Sequence, residues 1–290
     1  MNKIWDVHCH LPLNWQNPAE DPAERLDEVA KALTAAGVVR ACLLCADRFG
    51  MTHERAIAYA RQYPELFVPV ANVDPDRTDR RRVWELHQMG YRGLKLIAVR
   101  RDYDDRSYFP MYAAAEALDM PVLLHMGVIG GPVDYSRTHP RRDPEAARRA
   151  QMFARRPVRD HTAMRMHPFH LDTLANHFPD LKLIGAHLGG TGNYDAAASV
   201  ARWRPNVFLD MSGGETIEEH GEKRGYIAQD IAVEKLVWGS DCRADEIDAH
   251  VQRFERMFER LGLTEDDAER MWWRNAAEIY GEATPRVAAE

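Results

Sequence analysis

The sequence predicts an α/β fold in which parallel strands alternate with helices and close into a single (β/α)8 TIM barrel. Eight short apolar runs recur along the 290 residues, and helix-like segments separate most of them. Strands that are apolar throughout are typical of a parallel sheet covered on both faces. Eight such units indicate a closed barrel, for which a length of roughly 250 residues or more is ordinary. No glycine-rich phosphate loop follows the first run, which argues against a dinucleotide-binding fold.

The predicted elements follow one another without an internal repeat or a linker, so residues 1–290 are interpreted as one domain. The predicted strands are residues 4–10, 39–46, 67–74, 93–97, 121–127, 182–189, 207–212 and 236–241. The predicted helices include 24–36, 56–63, 81–89 and 245–261, of which the first three end before a glycine or proline signal. Thr264 and Asp267 resemble a capping box that opens the last helix.

One connection is far longer than the others. Residues 128–181 separate strand five from strand six and contain two predicted helices, 144–156 and 167–178. Connections of this length in compact domains are usually functional. Because this insertion leaves the carboxyl end of strand five, we expect it to overhang the barrel mouth as a lid or substrate-selecting element.

The charge balance and the amino-terminal sequence limit the classes of partner that we expect the protein to bind. The chain carries 38 basic and 45 acidic residues, a formal charge of −7, so nucleic acid is not an expected partner. No apolar window is long enough for a spanning helix, and the first residues lack the apolar core of a signal peptide. We therefore expect no membrane association, a cytoplasmic location and a small-molecule substrate.

The cysteine pattern is interpreted as structural. The chain has four cysteines, and Cys42 and Cys45 form a CxxC within an apolar run. Residues three apart on a strand face opposite sides, which predicts two buried, reduced thiols. By the same alternation, Trp5 and Trp238 are expected to face outward, toward the helices.

The most informative segment is Asp6-Val-His8-Cys-His10 in the first predicted strand. Because side chains alternate along a strand, positions 6, 8 and 10 are predicted to share one face. His8 and His10 would then project together near the carboxyl end of the strand. This spacing predicts that the two imidazoles can chelate one cation.

Three further polar residues stand at matching positions. His125 and His187 lie near the ends of the fifth and sixth apolar runs, and Asp241 closes the eighth. In a barrel these strand ends converge on one small volume, where active sites are found. The plain alternative for each residue alone is a hydrogen-bonded rim position. Without a cation, however, four buried imidazoles and a carboxylate together would cost several kcal/mol in unpaired polar groups.

These residues belong to a set of motifs that covers nearly the whole chain. The motifs are HxH at 8–10, GLKL at 93–96, His125, FPDLKLIGAHLGG at 178–190, WGSD at 238–241 and NAAEIYG at 275–281. In this order they resemble the amidohydrolase superfamily, in the branch of metal-dependent TIM-barrel hydrolases and aminocarboxymuconate-semialdehyde-type decarboxylases. The resemblance implies that His8, His10, His125 and Asp241 hold the metal and that His187 is catalytic beside it.

The donor set predicts one divalent transition metal. Three imidazoles and one carboxylate suit Zn²⁺ first, then Mn²⁺, Fe²⁺ or Co²⁺. In two-metal members of the superfamily a strand-four lysine is carboxylated and bridges the metals, and Lys95 stands at that place. The GLKL sequence also resembles one-metal members, so one metal is favoured. The plain alternative for Lys95 is an ion pair with a carboxylate such as Asp74.

Substrate-binding residues are predicted in the loops at the barrel mouth. Arg48 follows strand two directly and can hold a carboxylate with its bidentate guanidinium. A surface pair between Arg48 and Asp47 is the alternative. Arg137 and His139 in the long insertion are candidates of the same kind, as is Lys95 on strand four.

Two reactions fit this residue set. In the first, water activated by the metal hydrolyses an ester, lactone or amide, Asp241 accepts the water's proton, and His187 orients the substrate or stabilises the oxyanion. In the second, the protein is a non-oxidative decarboxylase of an aromatic or unsaturated acid. The short chain and the GLKL motif favour hydrolysis. A catalytically idle binding scaffold is a third hypothesis, and the resemblance is also compatible with a homo-oligomer.

Overall fold

A computed structural model describes residues 3–14, 17, 19–47, 50–130, 133, 135, 138–154 and 160–282. The predicted (β/α)8 TIM barrel is confirmed. The strands are β1 (Ile4–His10), β2 (Val38–Ala46), β3 (Phe67–Val73), β4 (Gly93–Leu96), β5 (Val122–Leu124), β6 (Leu183–Gly185), β7 (Val207–Asp210) and β8 (Leu236–Val237). They form one parallel sheet in sequence order. The ring is closed where the Val7 N–H donates to the Trp238 carbonyl at 3.0 Å.

Helices follow the strands around the barrel. They are α1 (Ala23–Ala35), α2 (His53–Ala60), α3 (Arg80–Met89), α4 (Phe109–Ala117), α5 (Pro144–Ala154), α6 (Phe169–His177), α7 (Tyr194–Trp203), α8 (Glu215–Lys223), α9 (Ile247–Leu261), α10 (Glu265–Glu269) and α11 (Asn275–Ile279). Local signals explain several ends. Asp79 caps α3 by accepting the Arg82 N–H, and the capping box predicted at Thr264 and Asp267 is present.

Several strands end earlier than the apolar runs predicted. β5 ends at Leu124, β6 at Gly185 and β8 at Val237, so the polar residues His125, His187 and Asp241 lie just beyond strands. At His187 and Asp241 the backbone leaves extended geometry, with left-handed φ values of 60° and 42°, and this decides where the two side chains point.

Two apolar clusters show which side of the sheet each strand residue faces. One cluster joins the strands to the surrounding helices, and the other takes alternate strand positions together with the carboxyl-terminal segment around Trp273. The second cluster therefore fills the barrel interior. Cys42 belongs to the interior cluster and Cys45 to the outer one, and both thiols are buried and free, as the alternation predicts.

The first strand departs from simple alternation, and two predictions about it were wrong. The pairing of β1 with β2 shifts register between Asp6 and Cys9, which indicates a bulge. Before it, Trp5 lies in the interior cluster, not against the helices, where its ring is 5.2 Å from that of Trp273. The bulge reverses the alternation of side chains. Asp6 therefore does not share a face with His8 and His10, contrary to the prediction. Trp238 packs outward against Trp272, as predicted.

The long connection between β5 and β6 touches the carboxyl end of the barrel. It contains α5, a short 3-10 turn (Ala163–Met166) and α6. The Gly127 N–H donates to the Met166 carbonyl at 2.9 Å, and the Tyr103 N–H donates to the Arg165 carbonyl at 3.2 Å. Its role as a lid stays a prediction. In the described part of the chain, no helix is both long and apolar enough to cross a membrane.

Candidate active site

The histidine pair at the end of β1 meets the aspartate that follows β8. His10 Nε2 lies 3.3 Å from Asp241 Oδ1, and His8 Nε2 lies 3.7 Å from the same oxygen. Asp241 has a left-handed φ of 42°, and its N–H donates to the His8 carbonyl at 2.7 Å. A non-glycine residue in this region is strained and persists only where its surroundings hold it. The backbone contact with His8 therefore aims the carboxylate at the histidines.

The two remaining histidines join the same group. His187 Nε2 lies 3.1 Å from His125 Nδ1 and 3.9 Å from Asp241 Oδ2. The other ring nitrogen of His125, Nε2, is buried and has no hydrogen-bond partner among the described residues. The structure thus brings together all five residues that the sequence singled out: His8, His10, His125, His187 and Asp241.

His187 reaches the site through an unusual turn. The residue before it already belongs to the interior cluster, so ordinary alternation would turn His187 outward. Instead, His187 and Leu188 adopt left-handed φ values of 60° and 51°. Gly190 follows with a φ of 86°, and a Cβ there would collide with the backbone of Met126. Only glycine allows this close approach, which holds the turn against the β5 loop.

Sequence reasoning missed Asp210 and Ser212 at the end of β7. Asp210 is fully buried, and its Oδ2 lies 2.8 Å from His8 Nδ1. Its Oδ1 accepts the N–H of His187 at 2.8 Å and the hydroxyl of Ser212 at 2.6 Å. Ser212 Oγ also lies 2.9 Å from His187 Nδ1. The available signal was a polar residue closing an apolar strand, the same signal that singled out Asp241.

Lys95 also reaches this group from β4. Its side chain is fully buried, and its Nζ lies 3.3 Å from His8 Nε2. Burial lowers the pKa of Lys95 to about 8, against the opposing pull of Asp210 and Asp241. The lysine therefore faces the nitrogen that is predicted to bind metal, instead of the alternative partner Asp74.

The electrostatics favour neutral histidines beside ionised carboxylates. Burial and the charge of Lys95 lower the pKa of His8 to about 4. Burial alone would raise the pKa of Asp241, but His8 and His10 hold it well below its usual range. The same balance, with His8 as the main stabilising partner, keeps the pKa of Asp210 low. Neutral imidazoles and ionised carboxylates are the forms that bind metal.

Asp6 links β1, which carries His8 and His10, to the segment after β8, which carries Asp241. Its Oδ1 accepts the N–H of His8 at 2.8 Å and the N–H of Ser240 at 2.9 Å. Its Oδ2 is buried without a hydrogen-bond partner among the described residues, and burial raises the pKa of Asp6. Asp6 therefore fastens β1 to the segment after β8, directly beside His8 and Asp241.

The geometry agrees with the comparison with known proteins. Residues 5–281 match the family model described as amidohydrolase. The chain belongs to the amidohydrolase family. A search of curated proteins gives no match to this sequence.

Solved structures similar to this amidohydrolase share its fold over nearly the whole chain. An uncharacterized TIM-barrel protein from Bordetella bronchiseptica is 18% identical, with a TM-score of 0.66 and 97% and 99% of the two chains covered. A probable 2-pyrone-4,6-dicarboxylic acid hydrolase from Acinetobacter baumannii is 15% identical, with a TM-score of 0.63 and coverage of 97% and 100%. A 5-carboxyvanillate decarboxylase from Sphingomonas paucimobilis is 16% identical, with a TM-score of 0.62 and coverage of 97% and 99%.

The donor atoms of this amidohydrolase fit a metal ion. One ligand atom each from His8, His10 and Asp241 lies within 4.8 Å of the other two. His125 is not in this group of three, but its Nε2 is buried and unpartnered, and nothing else in the described structure compensates its desolvation. Imidazole and carboxylate donors are the set that divalent transition metals prefer.

A separate group of candidate metal ligands lies near the surface and fits a metal ion less well than the buried groups around His8. Asp102, Asp104 and His170 bring ligand atoms within 4.8 Å of one another, but Asp102 is exposed. Both ring nitrogens of His170 already have partners, Asp104 at 2.7 Å and the Met164 carbonyl at 2.9 Å. We assign no metal to this group.

Two of the predicted substrate-binding residues, Arg48 and Arg137, lie outside the described residues. His139 is described, and its contacts are local. Its Nδ1 accepts the Arg141 N–H at 3.1 Å, and its ring lies 5.9 Å from that of Tyr135. The structure does not bring His139 to the histidine and aspartate group, so its role in binding substrate stays a prediction.

Proposed function

We propose that this amidohydrolase is a metal-dependent hydrolase of an ester, lactone or amide bond in a small carboxylated substrate. One observation carries the proposal: the two oxygens of Asp241 face different partners. Oδ1 faces His8 and His10, and Oδ2 lies 3.9 Å from His187 Nε2. Asp241 can therefore ligate a cation with one oxygen and accept a proton from water with the other.

The proposed metal is a single Zn²⁺ held by His8, His10, His125 and Asp241. When bound, zinc lowers the pKa of coordinated water toward ~7 and polarises a carbonyl. Lys95 would stand beside this site uncarboxylated, with its Nζ 3.3 Å from His8 Nε2.

The chain's own residues would move the proton and exclude water. Asp241 Oδ2 would accept the proton of the attacking water, and His187, whose Nε2 lies 3.9 Å from that oxygen, would orient the substrate. Both are largely enclosed: His187 is 8% exposed and the Asp241 side chain 27% exposed. Enclosure strengthens hydrogen bonds to charge that develops during the reaction. The carboxylated substrate class rests on the predicted mouth arginines, Arg48 and Arg137.

A substrate screen with metal analysis tests this proposal. The full chain is purified, its metal is measured by elemental analysis, and lactones, acyl amides and hydroxybenzoates are offered in parallel. We expect about one equivalent of zinc and release of acid from a lactone or amide. Release of CO₂ from a hydroxybenzoate would instead establish the decarboxylase alternative. Two equivalents of metal would indicate a carboxylated Lys95, and a folded, metal-free and inactive protein would support a binding scaffold.

The His187→Ala variant is the matched control within the site. We expect it to keep its metal and to lose turnover, because His187 is not one of the four proposed ligands. Loss of the metal from this variant would show that His187 is a ligand.

A further inference from the structure

Asp210 sets the direction of the hydrogen bonds in the candidate site. Its Oδ1 accepts three hydrogen bonds, from the N–H of His187 at 2.8 Å, the N–H of Ser212 at 3.0 Å and the hydroxyl of Ser212 at 2.6 Å. Its Oδ2 lies 2.8 Å from His8 Nδ1. An ionised carboxylate has no hydrogen to donate. Each of these neighbours must therefore turn a hydrogen toward Asp210.

The Ser212 hydroxyl connects Asp210 to His187, donating to the first and accepting from the second. It has a single hydrogen, which the short contact with Asp210 uses, so Ser212 Oγ faces its other neighbours as an acceptor. His187 Nδ1 lies 2.9 Å from that oxygen and must carry a hydrogen to bond to it. We propose that Ser212 and Asp210 are positioning residues that hold His187 with its hydrogen on Nδ1 and a lone pair on Nε2.

The contact of the other ring nitrogen of His187, Nε2, is consistent with a hydrogen on Nδ1. His187 Nε2 lies 3.1 Å from His125 Nδ1, and two lone pairs would repel at that distance. His125 therefore carries its hydrogen on Nδ1 and donates it to His187. This leaves His125 Nε2 as a bare nitrogen, and it is the atom that is buried without a hydrogen-bond partner among the described residues. A bare, buried imidazole nitrogen is a metal-ligand atom.

His8 also carries its ring hydrogen on Nδ1. Its Nδ1 faces Asp210 Oδ2, and its Nε2 faces the Lys95 amine at 3.3 Å, which is a donor. One carboxylate thus orders three imidazoles, His8 directly and His187 and His125 through Ser212. Carboxylates in this position orient ligating histidines in metal sites generally, and here a hydroxyl extends the link to a histidine outside the proposed ligand set.

This inference deepens the proposed function and rests on it for its catalytic meaning. With a lone pair on Nε2, His187 starts the reaction as an acceptor. The proton lost by water would pass to Asp241 Oδ2 and from there to the leaving group, so that the protons balance over one turnover, while the His187 Nε2 lone pair stays with the His125 N–H. His187 therefore has no hydrogen on Nε2 to donate to the substrate carbonyl at the outset.

Nitrogen NMR of the metal-free full chain tests the hydrogen positions without substrate. Long-range ¹H–¹⁵N correlation distinguishes a protonated from a bare ring nitrogen, and the His187→Gln variant assigns the His187 signals. We expect wild-type His187 to be protonated at Nδ1 and bare at Nε2. In Ser212→Ala we expect a mixture of both tautomers. In Ser240→Ala, where a buried hydroxyl faces the His8 carbonyl at 3.4 Å instead, we expect the wild-type pattern.

The outcomes separate this inference from the proposed function. A wild-type His187 with its hydrogen on Nε2, or an unchanged tautomer in Ser212→Ala, overturns the inference whatever the reaction is. Asp210→Asn is the second variant if Ser212→Ala does not fold, and it should also mix the tautomers. With an active substrate in hand, Ser212→Ala should lower kcat by ~10- to 100-fold with little change in KM, and Ser212→Thr, which keeps the hydroxyl, should restore most of it. Failure of every substrate would count against the hydrolase and leave the NMR result standing.

Discussion

The two ends of the barrel interior use the same strands for opposite purposes. At the amino end, the ring of Trp5 packs 5.2 Å from Trp273 and 5.6 Å from Tyr280. At the carboxyl end, the alternation that places Leu123 in the apolar interior places His125 in the polar group two residues later. The change from apolar to polar occurs within about one strand period.

The difference shows where this protein gains stability and where it gives stability up. Packing aromatic rings away from water stabilises the fold, although the Tyr280 hydroxyl is buried at this end without a hydrogen-bond partner among the described residues. The carboxyl end instead buries imidazoles and carboxylates and holds strained residues such as His187 and Asp241. Buried polar groups and left-handed backbone both cost free energy. Stability and chemistry are therefore expected to respond to different substitutions.

The largest expected effect is at the polar end. Asp241→Asn removes the proton acceptor and a ligand charge, so we expect kcat to fall by ~10²- to 10⁴-fold, measured on the substrate found in the screen. Asp245→Asn is the matched control, because Asp245 lies in the same loop but is exposed and pairs with Arg243 at 2.9 Å. Equal activity of wild type and Asp241→Asn would remove Asp241 from the mechanism.

The next effect is at the aromatic end. Trp273→Ala opens a cavity beside Trp5, and we expect the free energy of unfolding to fall by ~3–5 kcal/mol in a denaturant titration. Metal affinity should not change. Trp203→Ala is the control, since Trp203 is 71% exposed and should change the unfolding free energy by only about 0.5 kcal/mol. If Trp273→Ala lost metal as readily as stability, the two ends would not be independent.

Metal removal tests whether the fold is independent of the metal site. A chelator should abolish activity while the circular dichroism spectrum stays native, because the apolar interior does not depend on the cation. Thermal unfolding should then show a loss of ~2.7 kcal/mol relative to protein with metal at about a hundred times its Kd. Unfolding of the chelated protein would contradict this picture and make the metal part of the fold.

The smallest effect is expected at Asp6, which joins β1 to the segment after β8. Asp6→Ala leaves the N–H groups of His8 and Ser240 unpaired, so we expect metal affinity to weaken by ~10- to 100-fold in a competition titration. Asp79→Ala is the control, because it removes the cap of α3 far from the site and should lower stability by ~1 kcal/mol without changing metal affinity. Unchanged affinity in Asp6→Ala would show that β1 holds its position without this carboxylate.

The residues at the strand ends could be recognised from the sequence because their signal is local. A polar residue after an apolar run marks the end of a buried strand, and the barrel topology brings such ends together. Asp210 carries the same signal, yet its role depends on His8, 202 positions away. Ser212 closes the same predicted strand, but its importance lies in where its hydroxyl meets His187, which the chain pattern does not show.

The sequence by itself determined the barrel, because the period of apolar residues and the order of strands and helices are properties of the chain. It also determined which polar residues stand at the strand ends. Only the tertiary structure decided that a bulge in β1 turns Trp5 inward and the histidines toward the site. It alone decided that left-handed turns aim His187 and Asp241. Backbone deviations of this kind are stabilised by contacts between distant strands, so no local pattern of residues records them.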